Sequence, residues 1–172
     1  MATRNDRANN AVRMFVGLLP ALCAGLVACA SSQPVRAAKA DFNGAWAVKW
    51  CDKTNTKLDC GGFNITLVQE GDRICGDFGG ALVNLRQTDE GSIVGTAVGN
   101  TAVLAVESMR NQAIVLVRAE QRGDSLHWRA IDNIKRGGTD IDVIASNDML
   151  TKAPKTSREK QTCDSLLGRS GG

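Results

Sequence analysis

Aromatic side chains are scarce in this sequence, which contains no tyrosine and only 4% Phe and Trp. Platforms on which nucleic-acid bases or sugars stack are therefore scarce as well. Beyond residue 28 the basic and acidic residues are almost equal in number, so a basic stripe for nucleic acid is missing. We therefore expect no nucleic-acid partner.

Catalytic motifs are also missing from the chain. It contains no G-x-S-x-G elbow, no P-loop and no H-E-x-x-H. A Ser-His-acid triad would need the single histidine, His127, which strand alternation places outward, opposite to Leu126 and Trp128. The acidic pairs Asp89/Glu90 and Asp140/Asp142 are typical of turns and solvated positions. The sequence thus predicts a protein that is not an enzyme and needs no cofactor.

The N-terminal segment has the pattern of an export signal. Three arginines, Arg4, Arg7 and Arg13, precede an apolar run over residues 14–28, and small polar residues follow. The run is shorter than the roughly 20 apolar residues that a membrane-spanning helix needs. This segment therefore predicts secretion.

The end of that run, Leu26-Val27-Ala28-Cys29, resembles the lipobox of bacterial lipoproteins. The resemblance implies cleavage before Cys29, acylation of that cysteine with palmitate-type chains, and, since Ala30 replaces an aspartate, a periplasm-facing position on the outer membrane. Two alternatives stay open. A secretory cut at Ala28-Cys29-Ala30 or at Ala38-Lys39-Ala40 would release a soluble protein, and an uncleaved signal would remain an anchor.

The remainder of the chain predicts an all-β domain. We divide the sequence into a signal (1–28), a tether (29–40), a β-barrel domain (41–153) and an irregular polar tail (154–172). Short alternating segments separated by Gly, Asp and Asn recur about every ten residues. We predict strands within 46–50, 63–67, 73–78, 81–87, 92–98, 101–107, 113–120, 125–131 and 141–145. Eight or nine such strands favour an antiparallel up-and-down barrel, with a β-sandwich as the alternative.

Four cysteines remain beyond the signal and Cys29, namely Cys51, Cys60, Cys75 and Cys163. They contain no C-x-x-C spacing and lie far from the single histidine in sequence, so we expect no metal site. An even number in an oxidising compartment predicts two disulfides. Alternation places Cys51 and Cys75 on the outer face, which favours Cys51–Cys60 and a Cys75–Cys163 strap across the wall. Cys51–Cys163 remains an alternative pair.

The first strand opens with Asn43-Gly44-Ala45-Trp46, a G-x-W motif that resembles the start of lipocalins and of lipocalin/avidin-like barrels. The resemblance implies that Gly44 allows a tight start to the strand and that Trp46 plugs the closed end of the barrel. The T-D-Y motif of lipocalins and the tyrosines of avidin sites are absent. The resemblance thus extends to the architecture and leaves the ligand open.

A small-molecule site would use Trp46, Trp50 and Trp128 at the barrel mouth, unless these side chains fill the core. Arg118 would bind an anion if it points inward with Ile114 and Leu116, and would be exposed if the strand is shifted by one residue. The sequence predicts a monomeric, non-catalytic barrel that binds a small apolar or amphipathic ligand. The alternatives are a protein-binding inhibitor or immunity factor of a cell-wall or periplasmic hydrolase, with contacts in 52–62 and 132–138, and a purely structural envelope protein.

Overall fold

The fold is an eight-stranded antiparallel barrel, as the spacing of alternating segments predicted. It was obtained as a computed structural model that describes residues 40–139, 141, 143–154 and 162–167. The strands are β1 (Gly44–Trp50), β2 (Gly61–Glu70), β3 (Arg73–Ala81), β4 (Thr88–Val98), β5 (Thr101–Ser108), β6 (Ile114–Arg122), β7 (Ser125–Lys135) and β8 (Asn147–Lys152). Each strand pairs with the next, and β1 pairs with β8 to close the barrel.

The two ends of the barrel have different connections. At one end, which we call the turn end, Gly71, Gly99 and Gly123 occupy two-residue turns with φ between +61° and +66°. Glycine takes this left-handed conformation without a Cβ clash, and such tight turns suit adjacent antiparallel strands. The opposite end, which we call the loop end, carries the four longer connections 51–60, 82–87, 109–113 and 136–146.

Large inward side chains face glycines on the neighbouring strand. Phe78 is opposite Gly91, and Ile74 is opposite Gly95. A Cβ atom on Gly91 would lie 2.5 Å from Phe78 Cε1, so the aromatic ring occupies the space that the glycine leaves. The interior is packed by this alternation of large and small residues. Its largest fully buried members are Trp46, Trp128, Phe42, Phe63, Ile65, Leu67, Ile74, Ile93, Leu104, Leu126 and Leu150.

The turn end is closed by apolar side chains that precede and begin β1. Phe42 and Trp46 are fully buried, and Trp46 Nε1 donates a hydrogen bond to the Phe42 carbonyl oxygen at 3.1 Å. Lys152 Nζ lies 5.1 Å from the centroid of the Trp46 ring, a cation–π distance. Ala40 N donates to the Gly99 carbonyl, so the described chain enters the barrel at this end.

The loop end is covered by part of the β7–β8 connection. Val143, Ile144 and Ala145 are buried there. Trp128 Nε1 donates to the Ala145 carbonyl at 2.9 Å, and a Cβ on Gly80 would meet Val143 at 2.8 Å. Residues 143–145 therefore pack against the interior at the loop end.

Two predictions for the β3–β4 region were wrong. Residues 81–87 were expected to form a strand but contain a 3₁₀ turn, Val83–Leu85, in which Asn84 has φ +63°. Asp89-Glu90-Gly91 was expected to be a break but lies within β4. The alternating apolar residues of 81–87 turn the chain between β3 and β4, and the backbone of Leu82 hydrogen-bonds that of Gln87 across the turn.

The last strand was also misplaced. The segment 141–145 was predicted as a strand because it is apolar, whereas its buried residues form the cover of the loop end. The eighth strand is Asn147–Lys152, in which Leu150 alone is fully buried. A strand with one buried side chain and polar neighbours carries little hydrophobic periodicity, so the pattern did not reveal it.

Both favoured disulfides are confirmed. Cys51 and Cys60 are joined across the β1–β2 loop, and Cys75 is joined to Cys163. Cys163 begins a short helix, α1 (Cys163–Leu167), which packs on the outside of β2 and β3. The strap crosses the outer wall as the alternation of β3 predicted. The signal, the tether as far as residue 39, and Cys29 lie outside the described residues.

Candidate binding surface

The three tryptophans occupy different parts of the barrel. Trp46 closes the turn end, and Trp128 is fully buried with its ring 5.4 Å from that of Phe63. Trp50 is half-buried near the loop end, stacks on Phe63 at 6.4 Å, and donates from Nε1 to Asp148 Oδ1 at 3.0 Å. Their rings thus take part in packing and internal hydrogen bonds. This arrangement corresponds to the alternative in which the tryptophans fill the core.

Arg118 points away from the interior. Val115 and Val117 are the buried residues of this part of β6, so Ile114, Leu116 and Arg118 face outward. Arg118 Nη2 lies 2.6 Å from Glu120 Oε1, and its side chain is half exposed. Hydrogen bonding from Arg122, together with the charge of Arg118, lowers the pKa of Glu120. The exposed alternative for Arg118 is therefore the one observed.

His127 lies on the outer wall, as its strand position predicted. Its Nε2 is 3.2 Å from Asn147 Oδ1 on β8, an amide rather than a catalytic carboxylate. Asp140 and Asp142 lie outside the described residues. Within the described ranges, no group of three or more His, Cys, Asp or Glu side chains is arranged to hold a metal ion. No described helix is long and apolar enough to span a bilayer.

The loop-end connections are hydrogen-bonded to one another. Asn84 N donates to the Asp59 carbonyl at 2.7 Å and links the 82–87 loop to the 51–60 loop. Gln87 Nε2 donates to the carbonyl of Ile141, and Gly138 N donates to that of Asn111. These bonds join the four connections into one continuous surface, which we call the loop platform.

Large apolar side chains project from the loop platform and the adjoining end of β7. Between 48% and 69% of the surface of each is exposed, and they are Leu85, Met109, Ile131, Ile134 and Ile141. Scattered exposed apolar residues are ordinary, but five around one end of a small barrel are typical of a contact surface. The loop platform is therefore the candidate binding site.

Irregular backbone brings several of these side chains into solvent. Two register shifts between β6 and β7 leave Ile131 and Ile134 as the extra residues of β-bulges. A bulge redirects a side chain out of the regular alternation and is common at barrel rims. Leu85 has φ +48°, an unfavourable value for a residue with a Cβ. No local sequence pattern predicts these bulges, because they depend on how β6 and β7 pair.

A buried polar network fixes the loop that carries Met109. Ser108, which is 1% exposed, donates from Oγ to Asp89 Oδ2 at 2.7 Å and accepts a bond from Asn111 N. Asp89 Oδ1 accepts from Glu90 N and Arg110 N. Asp89 was expected to be a solvated turn residue, which was wrong. A carboxylate with three donors is satisfied on burial and rigidifies the surrounding backbone.

Grooves are present on the described part of the barrel. One of about 570 Å³ runs over β1 and β2, and a second of about 750 Å³ crosses β3, β4 and β5. The lining of the second includes three glycines, Gly76, Gly79 and Gly91, and three acidic residues, Asp77, Glu90 and Glu107.

The fold and this surface define a class: a small up-and-down β-barrel with two disulfides, a packed interior and a structured loop face. No protein-family model matches this chain, and neither does any curated protein or solved structure.

Proposed function

We propose that this protein is a non-catalytic binding module that holds a protein partner on its loop platform. The observation that carries the proposal is a set of five exposed apolar side chains, three on the mutually hydrogen-bonded loops and two on the adjoining end of β7. Apolar residues on a preorganised surface bind with little ordering cost, since the loops are already fixed. A hydrolase of the cell wall or periplasm is the partner class we favour, because a secreted barrel would meet it there.

The packing of the interior supports protein binding over capture of a small apolar ligand. An eight-stranded barrel has room for its own side chains or for one small ligand. Here Trp46, Phe63 and Trp128 are buried inside, and Val143 to Ala145 cover the loop end. A ligand would have to displace side chains that already fill the interior and would forfeit their packing contacts.

We propose further that Cys29 carries a lipid anchor at the outer membrane. The described chain enters the barrel at the turn end, where Ala40 bonds Gly99. A tether attached there leaves the loop platform at the opposite end, free to meet a soluble partner. Intact mass of the protein extracted from its membrane tests the anchor. A chain that begins at Cys29 and carries acyl chains supports it, and an unmodified chain cut elsewhere contradicts it.

Site-specific photocrosslinking tests the loop platform. A photoreactive residue at Leu85 in the full chain, expressed in its native envelope, is expected to capture a discrete protein partner. Val98 is the matched control, since it is 72% exposed and lies beside a tight turn at the other end. The purified partner should then bind the L85D/I141D variant at least tenfold more weakly than the unchanged protein, which corresponds to about 1.4 kcal/mol.

The contrary outcomes are distinct. Equal capture from Leu85 and Val98, or unchanged affinity of the double variant, would reject the loop platform as the contact. A bound molecule of small mass in native mass spectrometry, retained in the double variant, would favour a ligand inside the barrel instead. Absence of any partner and any ligand would favour a structural role. Thermal melting of both variants checks that the barrel is intact.

A further inference from the structure

The two disulfides differ in how far solvent reaches them. Cys51 is exposed and Cys60 is half-buried, whereas Cys75 and Cys163 are both fully buried. Reduction requires a thiolate to reach a sulfur atom in line with the bond, so exposure decides which disulfide reacts first. A reductant in solution would therefore meet the Cys51–Cys60 bond while the other stays covered.

The Cys51–Cys60 bond lies at one edge of the loop platform. It closes a nine-residue separation, and its two Cα atoms are 4.4 Å apart. Within the loop, Asp52 Oδ1 accepts bonds from Thr54 N and Oγ1 and from Asn55 N. The Thr54 hydroxyl, followed by the backbone amides of Asn55 and Thr54, lowers the pKa of Asp52. These bonds shape one half of the loop.

The other half of the loop reaches the neighbouring connection. Asp59, beside Cys60, accepts the backbone hydrogen bond from Asn84, the residue before Leu85. Both Asn84 and Leu85 have positive φ, a conformation that persists only where the surroundings hold it. Closure of the Cys51–Cys60 bond thus constrains the position of Asp59, and Asp59 in turn constrains the backbone that presents Leu85.

We propose that Cys51–Cys60 is a redox-sensitive clasp that sets the order of the loop platform. This inference rests on the proposed function for its biological meaning, but it concerns the isolated chain. A dithiol reductant would form a mixed disulfide with one of the two sulfurs and release the other as a thiolate. Its second thiol then completes the exchange, so the protein gains two electrons and two protons while the dithiol becomes a disulfide. The reduced loop would free Asp59 and loosen the 82–87 turn.

Graded reduction of the full chain with dithiothreitol, followed by alkylation and peptide mass mapping, measures the order of reaction. We expect alkylation at Cys51 and Cys60 at least tenfold faster than at Cys75 and Cys163. Hydrogen exchange should then show faster exchange at the Asn84 amide, with little change at the Cys75 amide in the centre of the β2–β3–β4 sheet. Earlier or simultaneous reduction of Cys75–Cys163 would overturn the proposal.

The C51S/C60S variant removes the Cys51–Cys60 bond without exposing the protein to dithiothreitol. It should reproduce the faster exchange at Asn84, and C75S/C163S is the matched control, in which that amide should keep its protection. Unchanged protection of Asn84 in C51S/C60S would overturn the clasp. The two proposals can fail separately. If Leu85 captures no partner but the Asn84 amide still exchanges faster in C51S/C60S, the partner is rejected and the clasp is retained. If C75S/C163S does not fold, comparison of C51S/C60S with the unchanged chain still decides the result.

Discussion

The turn end and the loop end of this barrel are sealed by different kinds of residues. Both must seal the ends of a packed interior. The turn end does so with Phe42 and Trp46 above three glycine turns, and the loop end with Val143 to Ala145 among four linked loops. The turn end is therefore sealed mainly by two large side chains. The loop end is sealed by a buried segment and polar contacts, and it gathers five exposed apolar residues around it. A binding surface is to be expected at the second kind of end.

Removal of the turn-end plug should have the largest effect on stability. Trp46→Ala deletes a fully buried ring and its bond to the Phe42 carbonyl, so we expect a loss of about 3–5 kcal/mol in the free energy of unfolding. Urea denaturation measures it. Leu85→Ala at the loop end is the matched change and should cost less than about 0.5 kcal/mol. Similar losses in both would mean that Leu85 contributes to packing as well.

The polar network of the loop end should contribute an intermediate amount. Ser108→Ala removes the hydroxyl that donates to Asp89 Oδ2 and accepts from Asn111 N, and we expect a loss of about 1–3 kcal/mol. The exposed Ser146→Ala is the control and should be almost neutral. Chemical denaturation of both proteins gives the difference. A neutral Ser108→Ala would show that water replaces the hydroxyl.

Replacing a glycine by alanine should produce the smallest difference in stability between the two ends. Gly123→Ala at the turn end places a Cβ at φ +61° with no atom within 4 Å, so the loss, about 1–2 kcal/mol, is conformational. Gly138→Ala at the loop end also meets no atom within 4 Å, and its φ lies outside the left-handed range. It should be neutral or slightly stabilising. Thermal melting of the pair tests this, and equal shifts would contradict it.

The strand pattern was readable because one face of each strand is buried. In β5, the buried residues Ala102, Leu104 and Val106 alternate with exposed or half-buried neighbours, and period-2 alternation identifies such a strand directly. Gly91 reads as a break in sequence, yet in β4 it makes room for Phe78 on the adjacent strand. The meaning of that glycine depends on register, which a local pattern does not contain.

The loops 52–62 and 132–138 were predicted as contact regions, a role that stays a prediction. The first overlaps the 51–60 connection of the loop platform, whereas residues 132–135 belong to strand β7 beside it. Leu85 and Met109 were missed because an apolar residue in an alternating or short segment predicts burial. Leu85 is exposed in a turn with left-handed backbone. Met109 follows Ser108, whose hydroxyl bonds the distant residue Asp89, and a local pattern does not reveal that contact.

Strand alternation in the sequence predicts the all-β fold and the outward position of His127, and it favours the two disulfide pairs that the structure contains. These depend on alternation and on which face of a strand a residue occupies, and both are local properties. Tertiary structure alone decided that Val143 to Ala145 cover the barrel instead of forming a strand, and that Asp89 is buried. It also decided that Ile131 and Ile134 bulge into solvent. Each of these outcomes depends on partners from distant strands, whose positions are fixed only when the barrel closes.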